Sequence, residues 1–283
     1  DGISFLRNLM RLRPMPVVMI STLTQQGSPI TLEALELGAV DFIAKPTVNV
    51  KQQMSQYAYV VQQKVRVAAG ARVRSFKKVS TVSELLPSNA QFLLNKIIAI
   101  GASTGGTEAI KEVLIKMPTN CPAIVITQHI PPVFSTSFAQ RMDRTCAINV
   151  KEAQHGDKLT AGWAYIAPGG LHLSIKKRGA SLYCELDDSE PVNRHKPAVD
   201  VLFNSLLECG AKNIVAALLT GMGSDGAKGL LSIKQAGGYT IAQDEFSSVV
   251  WGMPKAAVDL GAAHDIVALD KVTQRLLHQT IKV

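Results

Sequence analysis

The 283-residue sequence is poor in charge and in aromatic rings. Asp, Glu, Lys and Arg make up 18% of it and Phe, Trp and Tyr 5%, against 47% hydrophobic residues. So little charge beside so much apolar content excludes an intrinsically disordered chain. Cysteine is sparse too: Cys121, Cys146, Cys184 and Cys209 are scattered without a C-x-x-C pair. A disulfide framework or a structural zinc site is therefore not expected. The histidines show no H-E-x-x-H or comparable ligand spacing, which argues against a metal enzyme. Long apolar runs are missing as well. The longest charge-free stretch, 117–140, holds Pro118, Pro122, Pro131 and Pro132 with Asn120, Gln128 and His129, so no membrane insertion is expected. The chain opens at Asp1 on no basic-then-apolar leader, and the expectation is a cytoplasmic protein of about two domains.

Positive charge is in excess, with a net charge of +8, and raises the question of nucleic acid. The excess is local. Residues 1–93 carry 11 basic against 5 acidic side chains, whereas residues 94–283 carry 19 against 17. Lys64, Arg66, Arg72, Arg74, Lys77 and Lys78 form one run without an acid. It reads as a solvated helix end and linker, with a docking surface for an acidic partner as the other reading. No aromatic interleaving accompanies it, so no nucleic-acid partner is expected.

Hydrophobic periodicity divides the chain. Residues 3–12 read as helix, 17–22 as strand, 31–37 as helix, 40–44 as strand and 52–68 as helix. This order implies parallel strands with a crossover helix. Two continuously apolar strands cannot bury both faces of a sheet, so this segment resembles the latter half of a larger α/β domain. Residues 69–93 lack periodicity and read as a basic linker. From residue 94 a doubly wound α/β rhythm begins: strands at 97–100, 123–127, 215–219 and 239–243, with helices at 107–117, 134–142 and up to about 236. Residues 148–190 read as β-hairpins inserted at one side of the sheet.

Three strand ends carry the chemistry. The first is GASTGG at 101–106, between a strand and a helix. Gly-x-Ser-x-Gly in that setting is the pattern of a nucleophile elbow presenting Ser103. The other reading is a turn that binds phosphate at a helix N-terminus, although no Walker lysine follows. The second strand ends in QHIPP, placing His129 where open α/β sheets hold reacting groups, or where a structural histidine is hydrogen-bonded. The third ends in TGMGSDG, with Asp225 before a helix, where an N-cap is the plain alternative. Together a hydroxyl, an imidazole and a carboxylate on one sheet edge are what a serine hydrolase requires. Their order, Ser–His–Asp, differs from the Ser–Asp–His order of α/β-hydrolases. Asp244 is a rival carboxylate; His155, His172 and His195 are rival bases, of which His195 in PVNRHKP is the best placed.

Six segments, IGASTGG, QHIPPVFSTSFAQR, YIAPGGLHL, PVNRHKPAVDVLF, LLTGMGSDGAKGL and AQDEFSSVVWGMPKAA, resemble in order the chemotaxis protein-glutamate methylesterase (CheB) family over 94–283. Residues 1–68 resemble the latter part of a flavodoxin-like response-regulator receiver domain. The resemblance implies a serine hydrolase that demethylates glutamate methyl esters and deamidates glutamines of bacterial chemoreceptors, without cofactor or metal. It makes Ser103 the nucleophile, His129 the base and Asp225 its orienting carboxylate. Met222 would offer a backbone N–H to the oxyanion, with Thr104 N–H, next to the nucleophile, as the second donor. Ser21 and Lys45 match the receiver's switch hydroxyl and phosphate-pairing lysine. A histidine kinase would be the phosphodonor of an intact receiver, but the phosphoacceptor would lie upstream of Asp1, and Asp41, which opens a strand, cannot replace it. The competing class is a non-catalytic phosphate- or nucleotide-binding regulator using the 101–106 turn.

Overall fold

The computed structural model describes residues 2–21, 28–45, 50–72 and 91–282. Contacts divide the chain into two compact units, Asp1–Thr81 and Val82–Val283. The first comprises α1 (Gly2–Leu12), β1 (Val18–Ser21), α2 (Ser28–Glu36), β2 (Asp41–Ala44) and α3 (Val50–Ala69). β1 and β2 pair in parallel from Val18–Asp41 to Ser21–Ala44, as the crossover order demands. Only part of the apolar surface is covered: Phe5 and Ile20 remain exposed. Within the basic run, Lys64 turns inward, its Nζ donating to Asp41 Oδ1 at 2.8 Å and to the Phe42 carbonyl at 2.9 Å. Lys64 is thus structural in this unit, and Asp41 is paired with it. Most of the expected linker, including Arg74, Lys77 and Lys78, lies outside the described residues.

The second unit is built on β3 (Ile97–Ala102), β4 (Ala123–Gln128), β5 (Asn149–Glu152), β6 (Trp163–Ile166), β9 (Ile214–Leu218), β10 (Tyr239–Gln243) and β11 (Asp265–Val267). These seven form one sheet in the order β11-β10-β9-β3-β4-β6-β5, every pair parallel. β3, β4 and β9 are buried at every position, because layers of helices cover both faces. On one side Ile97, Ala99, Val125, Ile214, Ala216 and Leu218 pack against α6 (Val199–Leu207), α7 (Ala227–Gln235) and α8 (Met253–Asp259), with Phe203 fully buried among them. α4 (Gly106–Leu114), α5 (Pro132–Thr145) and α9 (Leu269–His278) supply the remaining cover, α4 lying against both α5 and α9.

The α/β reading holds, and the 148–190 region needs refinement. β5 and β6 are parallel members of the main sheet. Only β7 (His172–Arg178) and β8 (Ser181–Asp187) form a hairpin, which packs on α6. Short strands separated by Gly and Pro look alike in sequence whichever partner they pair with, so alternation alone could not tell the two cases apart. At the other boundary, residues 91–93 belong with the second unit: Phe92 bridges Ile281 and Leu93 N–H donates to Thr280 O at 2.7 Å.

The sheet order reverses at β3: the chain runs from it to β4, β5 and β6 on one side and returns to β9, β10 and β11 on the other. That makes the carboxyl ends of β3, β4 and β9 the crevice in which such sheets hold ligands. Register then fixes the neighbours. Ala102 pairs with Gln128 and Gly101 with Leu218, so, continuing both registers, Ser103 leaves the sheet with His129 on one side and Thr220 on the other.

Gly101 permits α6 to approach, since a Cβ there would lie 2.3 Å from Val199 Cγ1. Gly101→Ala is expected to lower stability by about 1–3 kcal/mol through overpacking, measured as a reduced urea midpoint at an unchanged slope.

Candidate active site

Ser103 lies one residue past β3, in a turn held from several sides. Its N–H donates to Thr220 O at 3.0 Å, and its carbonyl accepts Gly106 N–H at 2.7 Å. Gly105 caps α4 at φ +76°, a left-handed conformation that suits glycine. The glycines after β9 bring backbone close to Ser103 itself: a Cβ on Gly221 would lie 2.7 Å from Ser103 Cβ and 2.4 Å from Met253 Sδ. Gln128, the last residue of β4, is buried, and its Nε2 donates to Ser103 O at 2.9 Å and His129 O at 3.0 Å. One amide therefore ties together the backbones that carry hydroxyl and imidazole.

The structure brings Ser103, His129 and Asp225 together. His129 Nδ1 is 3.1 Å from Ser103 Oγ, and its Nε2 is 2.8 Å from Asp225 Oδ2. The buried Asp225 carboxylate can only accept at that distance, so the proton belongs on Nε2 and Nδ1 offers its lone pair to the Ser103 hydroxyl. This orientation is the reverse of the chymotrypsin-type ring, where Nε2 faces the serine. Either nitrogen can serve as base when its opposite is held as a donor.

Asp225 does not cap the helix that follows it. The N-cap of α7 is Gly226, at φ +84°. The carboxylate instead receives Val199 N–H at 2.6 Å and Asp200 N–H at 3.2 Å, the free donors at the start of α6, and Asn193 Nδ2 at 2.7 Å. Burial alone raises its pKa, but the bond and charge of His129, with Asn193 and Val199 N–H, bring the net value below the ordinary carboxylate range. Asp200 behaves oppositely. Burial pushes its carboxyl up and Asp225 adds to the rise, against the opposing Gly229 N–H and Asn193 amide. Asn193 Nδ2 also donates to Asp200 Oδ2 at 2.8 Å, linking the two carboxyls.

The other sequence candidates fall elsewhere. Asp244 is bonded to Ser247 N–H at 2.8 Å and stabilises the loop after β10. His155 accepts Leu186 N–H at 3.3 Å, and buried His172 spans Glu190 O at 3.1 Å and Ala198 N–H at 3.2 Å. His195 does reach the site, but as a ring stacked on His129. Thr104 O lies 3.0 Å from Thr220 Oγ1, and Met222, 36% exposed, follows the glycine pressed on Ser103. In the first unit Ser21 and Lys45 stand at adjacent strand ends, with Lys45 N–H donating to Ser21 O at 2.8 Å and Thr31 Oγ1 donating to Ser21 Oγ at 3.1 Å.

Sequence reasoning missed Gln128, Asn193 and Asp200. A polar residue closing the apolar strand AIVITQ was the available signal for Gln128. The other two carried none, since their partners are a distant carboxylate and backbone amides. Among the described residues no cluster of three or more His, Cys, Asp or Glu could hold a metal ion.

Comparison with known proteins gives the chain's relatives. The family model described as CheB methylesterase matches residues 98–276. A protein-glutamate methylesterase/protein-glutamine glutaminase of Nitrosomonas europaea is 50% identical over 99% of this chain and 80% of its own length. A second such protein, from Pseudomonas aeruginosa, is 51% identical over 100% of this chain and 80% of its own. The crystal structure of the Thermotoga maritima CheB methylesterase catalytic domain superposes with a TM-score of 0.63 at 38% identity, covering 65% of this chain and 97% of that one.

Asp225 gives the site a pH signature. At neutral pH it is ionised in both folded and unfolded chains, and its partners favour the folded state. As the pH falls below the ordinary value of about 4 and through its lowered folded value, it protonates and that contribution is lost. The stability advantage of wild type over Asp225→Asn, from urea midpoints, is therefore expected to be full at neutral pH and to shrink towards acid.

Proposed function

The chain belongs to the CheB methylesterase family, whose members demethylate and deamidate chemoreceptor side chains in chemotaxis, and from that premise we propose how its residues carry out the reaction. The observation that carries the reading is one imidazole held between a hydroxyl and a buried carboxylate, at 3.1 and 2.8 Å.

Ser103 Oγ attacks the side-chain carbonyl of a glutamate methyl ester while His129 Nδ1 takes its proton. Asp225 holds the imidazolium so formed in place and offsets its charge. The N–H groups of Thr104 and Met222 receive the developing oxyanion. The tetrahedral intermediate collapses with loss of methanol, which takes the proton back from Nδ1, leaving a glutamyl ester on Ser103. Water then attacks that ester, His129 again accepting and returning the proton, and glutamate is released with Ser103 restored. With a glutamine side chain the same steps expel ammonia. A phosphate-binding role for the 101–106 turn would leave the His129–Asp225 pair without a purpose.

The first unit is the latter part of a receiver in this reading, with Ser21 and Lys45 as its switch pair; a histidine kinase would be the phosphodonor of the intact receiver. The substrate is a chemoreceptor reached from the cytoplasm. No helix among the described residues is long and apolar enough to cross a membrane.

Methanol release from methylated receptor membranes tests the assignment. Ser103→Ala is expected to fall to the background rate. Asp225→Asn, which loses control of the imidazole tautomer, is expected to lose about 10⁴-fold in kcat. Wild-type rates in a folded Ser103→Ala would refute the nucleophile.

A further inference from the structure

Two residues in the described chain adopt positive φ without being glycine: Asn193 at 52° and Arg194 at 68°. They are the centre of a tight turn closed by Val192 N–H to His195 O at 3.1 Å and His195 N–H to Val192 O at 2.9 Å. Left-handed backbone at both central positions is the type I′ geometry, usually built from Asn and Gly. Arginine at the second position stores strain, which a fold retains where the conformation serves something. Two residues of this turn touch the triad. Asn193 donates to Asp225 and Asp200, and His195 lies flat on His129, ring centroids 3.6 Å apart and planes 11° from parallel.

The in-plane position of the His129 ring is set by its two nitrogens. Its tilt out of that plane is not, because hydrogen bonds to Ser103 and Asp225 both run along the ring edge. A second flat ring on the face supplies the missing restraint. It also keeps water from that face, in agreement with a His129 side chain only 8% exposed. In this geometry the nitrogens of His195 point along their own ring plane, so no proton passes between the stacked imidazoles.

We propose that His195 is a positioning residue for the base: the 192–195 turn lays its imidazole on His129 and so holds the plane in which Nδ1 meets Ser103 and Nε2 meets Asp225. The proposal rests on the triad reading and extends it. His195 acts through His129 and does not touch the reacting atoms.

The test uses the full chain and methylated receptor membranes, with kcat and KM for methanol release. His195→Ala is expected to lower kcat about 10- to 100-fold with KM within about twofold, the signature of a displaced reacting group. His195→Phe, which keeps a flat ring and has no nitrogens, is expected to recover to within about threefold of wild type. The downfield proton resonance of His129 Nε2–H should stay sharp in wild type and the Phe variant and broaden by solvent exchange in the Ala variant. Should Ala unfold the site, His195→Gln replaces it, keeping bulk without a ring. An unchanged kcat in the ring-less variant, a change confined to KM, or a loss that Phe does not recover in a folded protein would overturn the proposal. Ser103→Ala run alongside separates the two levels. If it stays active the triad reading falls and this inference with it; if it is inactive while the ring-less variant is fully active, the role of His195 alone falls.

Discussion

The active site depends on a buried negative charge. Asp225 is almost wholly removed from solvent, and an uncompensated carboxylate there would cost several kcal/mol. Four donors compensate it: His129 Nε2, Asn193 Nδ2 and the N–H groups of Val199 and Asp200. Two of these are the first turn of α6, so the carboxylate and that helix define one another. Gly101 and Gly226 complete the arrangement, for a Cβ on either would strike the Val199 side chain, at 2.3 and 2.5 Å. The glycines that look like turn residues in sequence are therefore also the clearance that lets α6 reach Asp225. The start of α6 and the His129 ring are thus held by the same carboxylate.

Sheet topology explains why the order Ser, His, Asp along the chain is compatible with triad geometry. β3 sits between β4 and β9, so the residue past its end has the ends of both neighbours beside it. His129 N–H donates to Ala102 O at 3.1 Å and Ser103 N–H to Thr220 O at 3.0 Å, extending the ladders one step beyond the regular strands. Chemistry requires only that three groups meet. Which strand supplies each is a matter of pairing, and the α/β-hydrolase order is one solution among several.

What could be read in sequence is what local pattern determines. Continuous apolar strands such as IIAIGA and AIVITQ, and glycine turns after them, mark Ser103, His129 and Asp225 as strand-end residues, and the structure brings their side chains together. Pairing is non-local, and there the reading was less complete: β5 and β6 share the alternation of a hairpin yet run parallel in the main sheet. The N-cap alternative for Asp225 is instructive. The carboxylate does serve a helix N-terminus, but that of α6, some 25 residues upstream, rather than that of α7. Two of its four partners are backbone N–H groups, which every residue but proline possesses, so sequence holds no mark of them.

The two linked carboxyls of the site are driven in opposite directions. Asp225 gains His129 and the α6 amides and is held below the ordinary range; at Asp200 burial and the charge of Asp225 outweigh the Gly229 N–H and Asn193 bonds and hold it above. Asn193 is bonded to both and cannot itself ionise, so it ties them together without adding charge. Asp225 is the carboxylate in contact with His129, and in the proposed mechanism its negative charge offsets the positive charge that forms on the imidazole. The same charge adds to the rise at Asp200. The turn that carries Asn193 touches both carboxyls.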